Sequence, residues 1–166
     1  VAGDYVLAVD VVGETTGAYA FRLLDLASAS AITPGTAVSG QLNPGNETDL
    51  YRFNATAGDR FFFDNQQTGT GNTYWRLLDP FGRTVSGPTH MGTDIGALTL
   101  GLDGSYTLLI EGRDSATGTA SYSFSVTAMQ DPAPVALAFD TLVSGRIETA
   151  GARDAYAFTL GGPSQL

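Results

Sequence analysis

The chain repeats itself. Asp49-Leu50-Tyr51-Arg52-Phe53 returns as Asp154-Ala155-Tyr156-Ala157-Phe158, 105 residues later. Tyr19-Ala20-Phe21 returns as Tyr122-Ser123-Phe124 at a shift of 103, and Tyr5-Val6-Leu7-Ala8-Val9 returns as Tyr106-Thr107-Leu108-Leu109-Ile110 at a shift of 101. Paired aromatics at a near-constant spacing indicate a tandem module, and a unit of about 100 residues is large enough to bury its own core. The repeat predicts three parts. Residues 1–26 carry the last two strands of one module, residues 27–134 form a complete module, and residues 135–166 carry the first two or three strands of the next. On this reading the chain, which lacks a starting Met, is a window on something longer.

The module reads as all-β. Glycine is frequent (21 of 166 residues), and Thr, Ser, Val, Phe and Tyr recur in short alternating runs between Gly, Asp, Asn and Pro clusters. That is the pattern of half-buried strands joined by tight turns. About eight strands are expected: residues 38–42, 50–55, 60–65, 74–78, 83–86, 97–100, 105–111 and 121–127. Period-two geometry puts Phe61 and Phe63 on one face with Phe62 on the other, and Trp75 and Leu77 together with Tyr74 and Arg76 opposite. Asp79-Pro80-Phe81-Gly82 fits a type I turn, and Asp103-Gly104 signals a hairpin between residues 98–100 and 106–108. Short antiparallel strands with one apolar face each imply two packed sheets, an antiparallel β-sandwich. Ala27 to Pro34 and Gln130-Asp131-Pro132-Ala133-Pro134 read as linkers, the second stiffened by proline.

Charge narrows the partners. Seventeen acidic residues face eight basic ones, all arginine, for a net charge of −9. Phosphate binding needs a basic face, so nucleic acid is not expected, whereas cations or a basic partner are compatible with the surface. There is no cysteine, hence no disulfide framework and no thiolate metal site. No run reaches the roughly 18 apolar residues of a membrane span. Without lysine, the chain lacks a phosphate-loop lysine and a Schiff base.

Several short motifs occur in one order: Gly40-x-Leu42, Asp49-x-Tyr51-x-Phe53, Ala57-Gly58, Leu77-x-Asp79-Pro80-x-Gly82, Asp103-Gly104-x-Tyr106, then Gly118 with Tyr122-x-Phe124. This order resembles the bacterial pre-peptidase C-terminal domain family across the full module and both flanking pieces. The resemblance implies a jelly-roll-like β-sandwich of secreted proteins, found beside proteases and in tandem in large surface proteins, with some relatives that bind collagen and calcium. The third copy departs from the pattern, with Gly161-Gly162-Pro163 where Ala57-Gly58 would be expected.

Two candidate sites follow from side-chain chemistry. Asn46, Glu47 and Asp49 place oxygen donors in a loop entering a strand, suitable for Ca²⁺. The calcium-binding relatives lean the same way, but the other copy reads Gly151-Ala152-Arg153-Asp154, and Asp49 can equally orient a turn by accepting backbone N–H bonds. Outward-facing Phe62, Tyr74 and Arg76 could stack on sugar rings or grip a protein, or bury against an adjoining module. His90, the single histidine, has no nucleophile elbow beside it and too few companions for zinc, and reads as a plain loop residue. Asp residues gather at turns, where they cap backbone groups. The expected role is that of a non-catalytic extracellular or cell-surface module for spacing, adhesion or assembly, needing no cofactor. Its partners would be neighbouring repeats or identical chains through strand edges. The alternative is an accessory domain of a secreted hydrolase that targets a polysaccharide or protein.

Overall fold

A computed structural model describes residues 3–11, 13, 16–67 and 71–162. Its strands are β1 (Ser30–Ala31), β2 (Val38–Leu42), β3 (Thr48–Ala55), β4 (Arg60–Asn65), β5 (Thr73–Leu78), β6 (Thr84–His90), β7 (Gly96–Thr99), β8 (Gly104–Gly112), β9 (Ala120–Met129), β10 (Val135–Ala136) and β11 (Tyr156–Ala157). Nine of them form two sheets, ordered β1-β3-β8-β5-β6 and β2-β9-β4-β7. The remaining two pair with each other.

The sheets face one another across the side chains that the alternation assigned to the core. Phe61, Phe63, Phe124 and Val126 come from the four-stranded sheet; Phe53, Trp75, Leu77, Tyr106, Leu108 and Ile110 come from the five-stranded one. All are buried, and each such large apolar side chain contributes about 1.5–3 kcal/mol relative to exposure. Inter-sheet ring contacts knit the centre: Phe53 meets Phe61 at 5.0 Å and Trp75 meets Phe124 edge-on at 6.3 Å.

The chain changes sheet at nearly every connection; among these nine strands, only β5 and β6 are both consecutive and paired. One expectation fails for this reason. The Asp103-Gly104 turn does not close a hairpin, because β7 pairs with β4 while β8 pairs with β3 and β5. A turn sequence specifies that the chain reverses, not which sheet receives it. Here the Tyr106 hydroxyl donates to Leu102 O and accepts from Leu102 N, both at 3.0 Å, and Asp103 accepts from Ala57 N at 2.7 Å, so the corner is tied across the sandwich. The strands also stay in separate ladders, so the fold is an open two-sheet sandwich and not a closed jelly-roll barrel.

The strand expected at 83–86 runs on to His90 through Gly87-Pro88. As the edge strand of its sheet, β6 tolerates proline, and the register shifts between Trp75 and Leu77 make room for it. Gly87 is required there: its φ is 91°, and a Cβ would stand 2.5 Å from Trp75 O. The type I turn holds, with Gly82 N donating to Asp79 O at 2.9 Å. Ser30–Ala31, expected as linker, is instead a short strand running parallel to β3.

The two ends differ. Described residues before Leu26 contain no strand, where two were expected; a single 3-10 turn, Leu26–Ser28, follows, capped by Asp25. The ladder partners that β8 and β9 use are already engaged inside the module. The tail does form strands. Val135 and Ala136 pair in parallel with Tyr156 and Ala157, as Ser30 and Ala31 pair with Tyr51 and Arg52, every position displaced by 105. The next hydrogen bond repeats too: Ile32 N to Arg52 O at 2.9 Å, Leu137 N to Ala157 O at 2.8 Å.

Candidate functional site

The outer face of the five-stranded sheet carries an open polar cleft. Because Trp75 and Leu77 point into the core, Tyr74 and Arg76 on β5 point out, beside Glu111 at the end of β8. The Arg113 guanidinium lies over the Tyr74 ring, 3.8 Å from its centroid, and His90 meets the same ring edge-on at 5.3 Å. Arg76 Nε donates to Glu111 Oε2 at 3.2 Å. Tyr74, Arg76, Glu111 and Arg113, with Thr48, Pro88 and Asp114, line an open cleft of about 340 Å³. Two of the eight arginines of a strongly acidic chain therefore stand on one surface. Stacking uses the face of a guanidinium and leaves its edge N–H donors for other partners.

Phe62 is not part of this surface. It projects from β4, on the outer side of the other sheet, so the sandwich separates it from Tyr74 and Arg76. The tail lies over it: a Cβ on Gly151 would stand 2.6 Å from Phe62 Cδ2, and Arg60 donates to Gly151 O at 3.1 Å. Asp131, between module and tail, binds both Arg60 on β4 and Arg153 in the tail. Burial alone would raise the Asp131 carboxyl, but hydrogen bonds from Arg153 and Arg60 outweigh it and hold the group below the usual carboxylate range.

The oxygen donors of the 46–49 loop face different ways. Glu47 Oε1 accepts from Asn43 N at 2.6 Å, and its Oε2 lies 3.6 Å from Arg22. Asn46 shares a rim with Glu47 and Thr48. Asp49 instead accepts from the Tyr122 hydroxyl, which also meets the Tyr51 hydroxyl at 2.5 Å. An ionised carboxylate only accepts, so Tyr122 donates to Asp49 and Tyr51 donates to Tyr122. Burial, reinforced by these bonds, raises the Tyr122 phenol above its ordinary value; burial raises Tyr51 as well. Gly40 makes the arrangement possible, since a Cβ there would collide with the Tyr122 hydroxyl. Among the described residues, no three His, Cys, Asp or Glu side chains converge as a metal site would require.

His90 is a strand residue, not a loop residue. Its Nε2 donates to Gly71 O at 2.9 Å while Nδ1 accepts from Gly92 N at 3.0 Å, an arrangement that fits the neutral ring. Turn aspartates cap the backbone as expected: Asp79 accepts from Phe81 N and Arg83 N, Asp59 from Thr56 N, and Asp94 from Asn65 N.

Sequence reasoning missed Arg113, Tyr51, Tyr122 and Asp131 as functional or organising residues. The recurring Asp-x-Tyr and Tyr-x-Phe pairs carried a signal for the tyrosine network, whereas Arg113 and Asp131 sit in loops with no periodicity to read.

No protein-family model matches the chain, and no curated protein is detectably similar. Among solved structures, PliG from Aeromonas hydrophila, a periplasmic inhibitor of g-type lysozyme, is similar at 14% identity, over 61% of this chain and 96% of that one, with a TM-score of 0.47. PliG from Salmonella Typhimurium is similar at 18% identity, over 60% and 96%, with a TM-score of 0.46. The pre-peptidase C-terminal domain of collagenase from Bacillus anthracis is similar at 24% identity, over 60% and 95%, with a TM-score of 0.46. These likenesses concern the β-sandwich fold.

Proposed function

We propose that the complete sandwich is a non-catalytic, extracytoplasmic accessory module that holds an extracellular protein or polysaccharide against its five-stranded sheet, at Tyr74, Arg76 and Arg113. The observation that carries this reading is the Arg113 guanidinium stacked on the outward Tyr74 ring at the rim of an open polar cleft. An aromatic plane offers a sugar ring or side chain a platform, and guanidinium edges suit carboxylate and hydroxyl oxygens. The lone histidine is taken up by two backbone hydrogen bonds, which favours a binding role over a hydrolytic one.

Retention on immobilised acidic polysaccharide and on collagen tests the reading. Arg113→Ala and Tyr74→Ala should each weaken retention roughly tenfold, the scale of a partly desolvated cation–π contact. Phe62→Ala, on the far sheet, should leave it unchanged. Failure of the unaltered chain to bind either polymer, or equal retention by Arg113→Ala, would remove the proposal.

A second reading, a spacer in a tandem array, draws on a different observation. The parallel pair β10–β11 reproduces β1–β3 at a displacement of 105 in every register position.

A further inference from the structure

The cleft beside Tyr74 differs in charge from the chain as a whole. A second cleft of about 510 Å³, with Phe21, Arg22, Asn46 and Glu47 in its walls, shares Thr48 and Asp114 with it, so the two adjoin as one trough. Among the described residues, Arg22, Arg76 and Arg113 line that trough together with Glu47, Glu111 and Asp114, three cations against three carboxylates. The whole chain carries 17 acidic residues against 8 basic ones. The trough is therefore locally balanced in a molecule whose net charge repels anions. Screening confines that repulsion to about 8 Å at physiological salt, so a ligand in the trough responds mainly to these six groups.

The arginines differ in how far their donors are engaged. Arg60 and Arg153 both bind Asp131, and Arg83 binds Asp79. Arg76 engages Nε, on Glu111 Oε2 at 3.2 Å, and its Nη groups make no hydrogen bond among the described residues. Arg113 is exposed, and among the described residues no carboxylate pairs with it. Its guanidinium covers one face of the Tyr74 ring at 3.8 Å. On that side a ligand meets guanidinium N–H donors, not the aromatic plane. Stacking fixes the plane of the fork and leaves its edge free to grip a carboxylate with two parallel bonds.

We infer, resting on the binding role proposed above, that the trough takes a polysaccharide built of uronic acid residues. Each such sugar carries a carboxylate beside hydroxyl groups. The carboxylate accepts from Arg113 and Arg76, and the hydroxyls donate to Glu111 and Asp114, which when ionised only accept. Asp114 Oδ1 already accepts from Ser115 N at 2.8 Å, which leaves Oδ2 for this purpose. A neutral glucan leaves the Arg113 edge without an anion. A densely sulfated polymer carries more charge and fewer hydroxyl donors per sugar, so it sets anions against Glu111 and Asp114. A run of acidic side chains in a peptide supplies carboxylates without the hydroxyls beside them. The second cleft offers the same pairing, with Arg22 and Glu47 3.6 Å apart, as Arg76 and Glu111 offer in the first. Two adjoining compartments of like chemistry suit a linear chain with a repeating unit.

Titration calorimetry with soluble polymers tests the proposal. Polygalacturonate should bind roughly tenfold tighter than its methyl ester, because esterification removes the charge from the hydrogen bonds. It should also bind more tightly than dextran, dextran sulfate and polyglutamate. Arg113→Lys keeps the charge but loses the planar fork, and should weaken polygalacturonate binding about tenfold, much as Arg113→Ala does. Asp114→Asn removes a negative charge and should raise the affinity for dextran sulfate. Both positions are exposed, so melting of these variants should be unchanged. Binding of the methyl ester, dextran sulfate or polyglutamate as tight as that of polygalacturonate overturns the proposal, as does full binding by Arg113→Lys. If the chain instead binds collagen or dextran, and Arg113→Ala abolishes that binding, the uronate assignment fails while the binding role of the cleft stands. If none of these polymers binds, both fail.

Discussion

The parallel pairs β1–β3 and β10–β11 start from matching sequence and the same register, and end differently. Residue Tyr51 lies in an eight-residue strand, whereas its counterpart Tyr156 lies in a two-residue one. Phe53 is 3% exposed and Phe158 is 45% exposed. Local sequence therefore nucleates the same pairing twice, but the strand lengthens only where β8 lies along its other edge and a second sheet covers it. A two-stranded ribbon is marginal in water because its side chains find few partners.

Substitutions at equivalent positions break this comparison most strongly. Phe53→Ala should cost about 3–5 kcal/mol in urea unfolding, the loss expected for a core aromatic, while Phe158→Ala should cost about a tenth of that or less. If both cost the same, the tail is already packed in solution and the contrast between the pairs is wrong.

The tyrosine network gives a smaller effect with a pH signature. Tyr122→Phe should cost about 1–3 kcal/mol near neutral pH, because it strips a half-buried Asp49 of its donor. The Tyr122 phenol is raised in the folded state, so the unfolded chain ionises first. Stability should be constant below about pH 10, the ordinary phenol value, and fall above it. Tyr122→Phe should flatten part of that fall; an identical alkaline profile would show that the phenol is not the group responsible.

The smallest effect concerns the joint between module and tail. Asp131→Asn should leave the module's melting temperature nearly unchanged but speed amide exchange around Gly151 to Arg153, since the carboxylate holds Arg60 and Arg153 together. Its folded-state pKa is lowered, so the contribution is complete above the ordinary Asp value of about 4 and disappears as pH falls through the lower folded value. Protection of residues 151–153 that ignores both the substitution and acidification would rule out the clamp.

Much of this was legible along the chain. Alternation placed Phe61, Phe63, Trp75 and Leu77 in the core and located the main strands to within a few residues, because a period of two records which face is buried. The candidate binding surfaces were half legible. The same alternation turned Phe62, Tyr74 and Arg76 outward, but could not say that Phe62 lies on one sheet and the other two on the opposite one. Nor could spacing reveal that Arg113 stacks on Tyr74, since the loop carrying it has no period. The 46–49 loop shows the same limit: its composition offers three oxygen donors, and their directions depend on Arg22 and Tyr122, distant in sequence.

By itself, then, the sequence determined the strand faces and the turn chemistry, which depend on contacts between near neighbours. Only the tertiary structure decided which sheet received each strand and which outward residues share a surface. Those outcomes depend on strands far apart in the chain, where burial between sheets outweighs local preference.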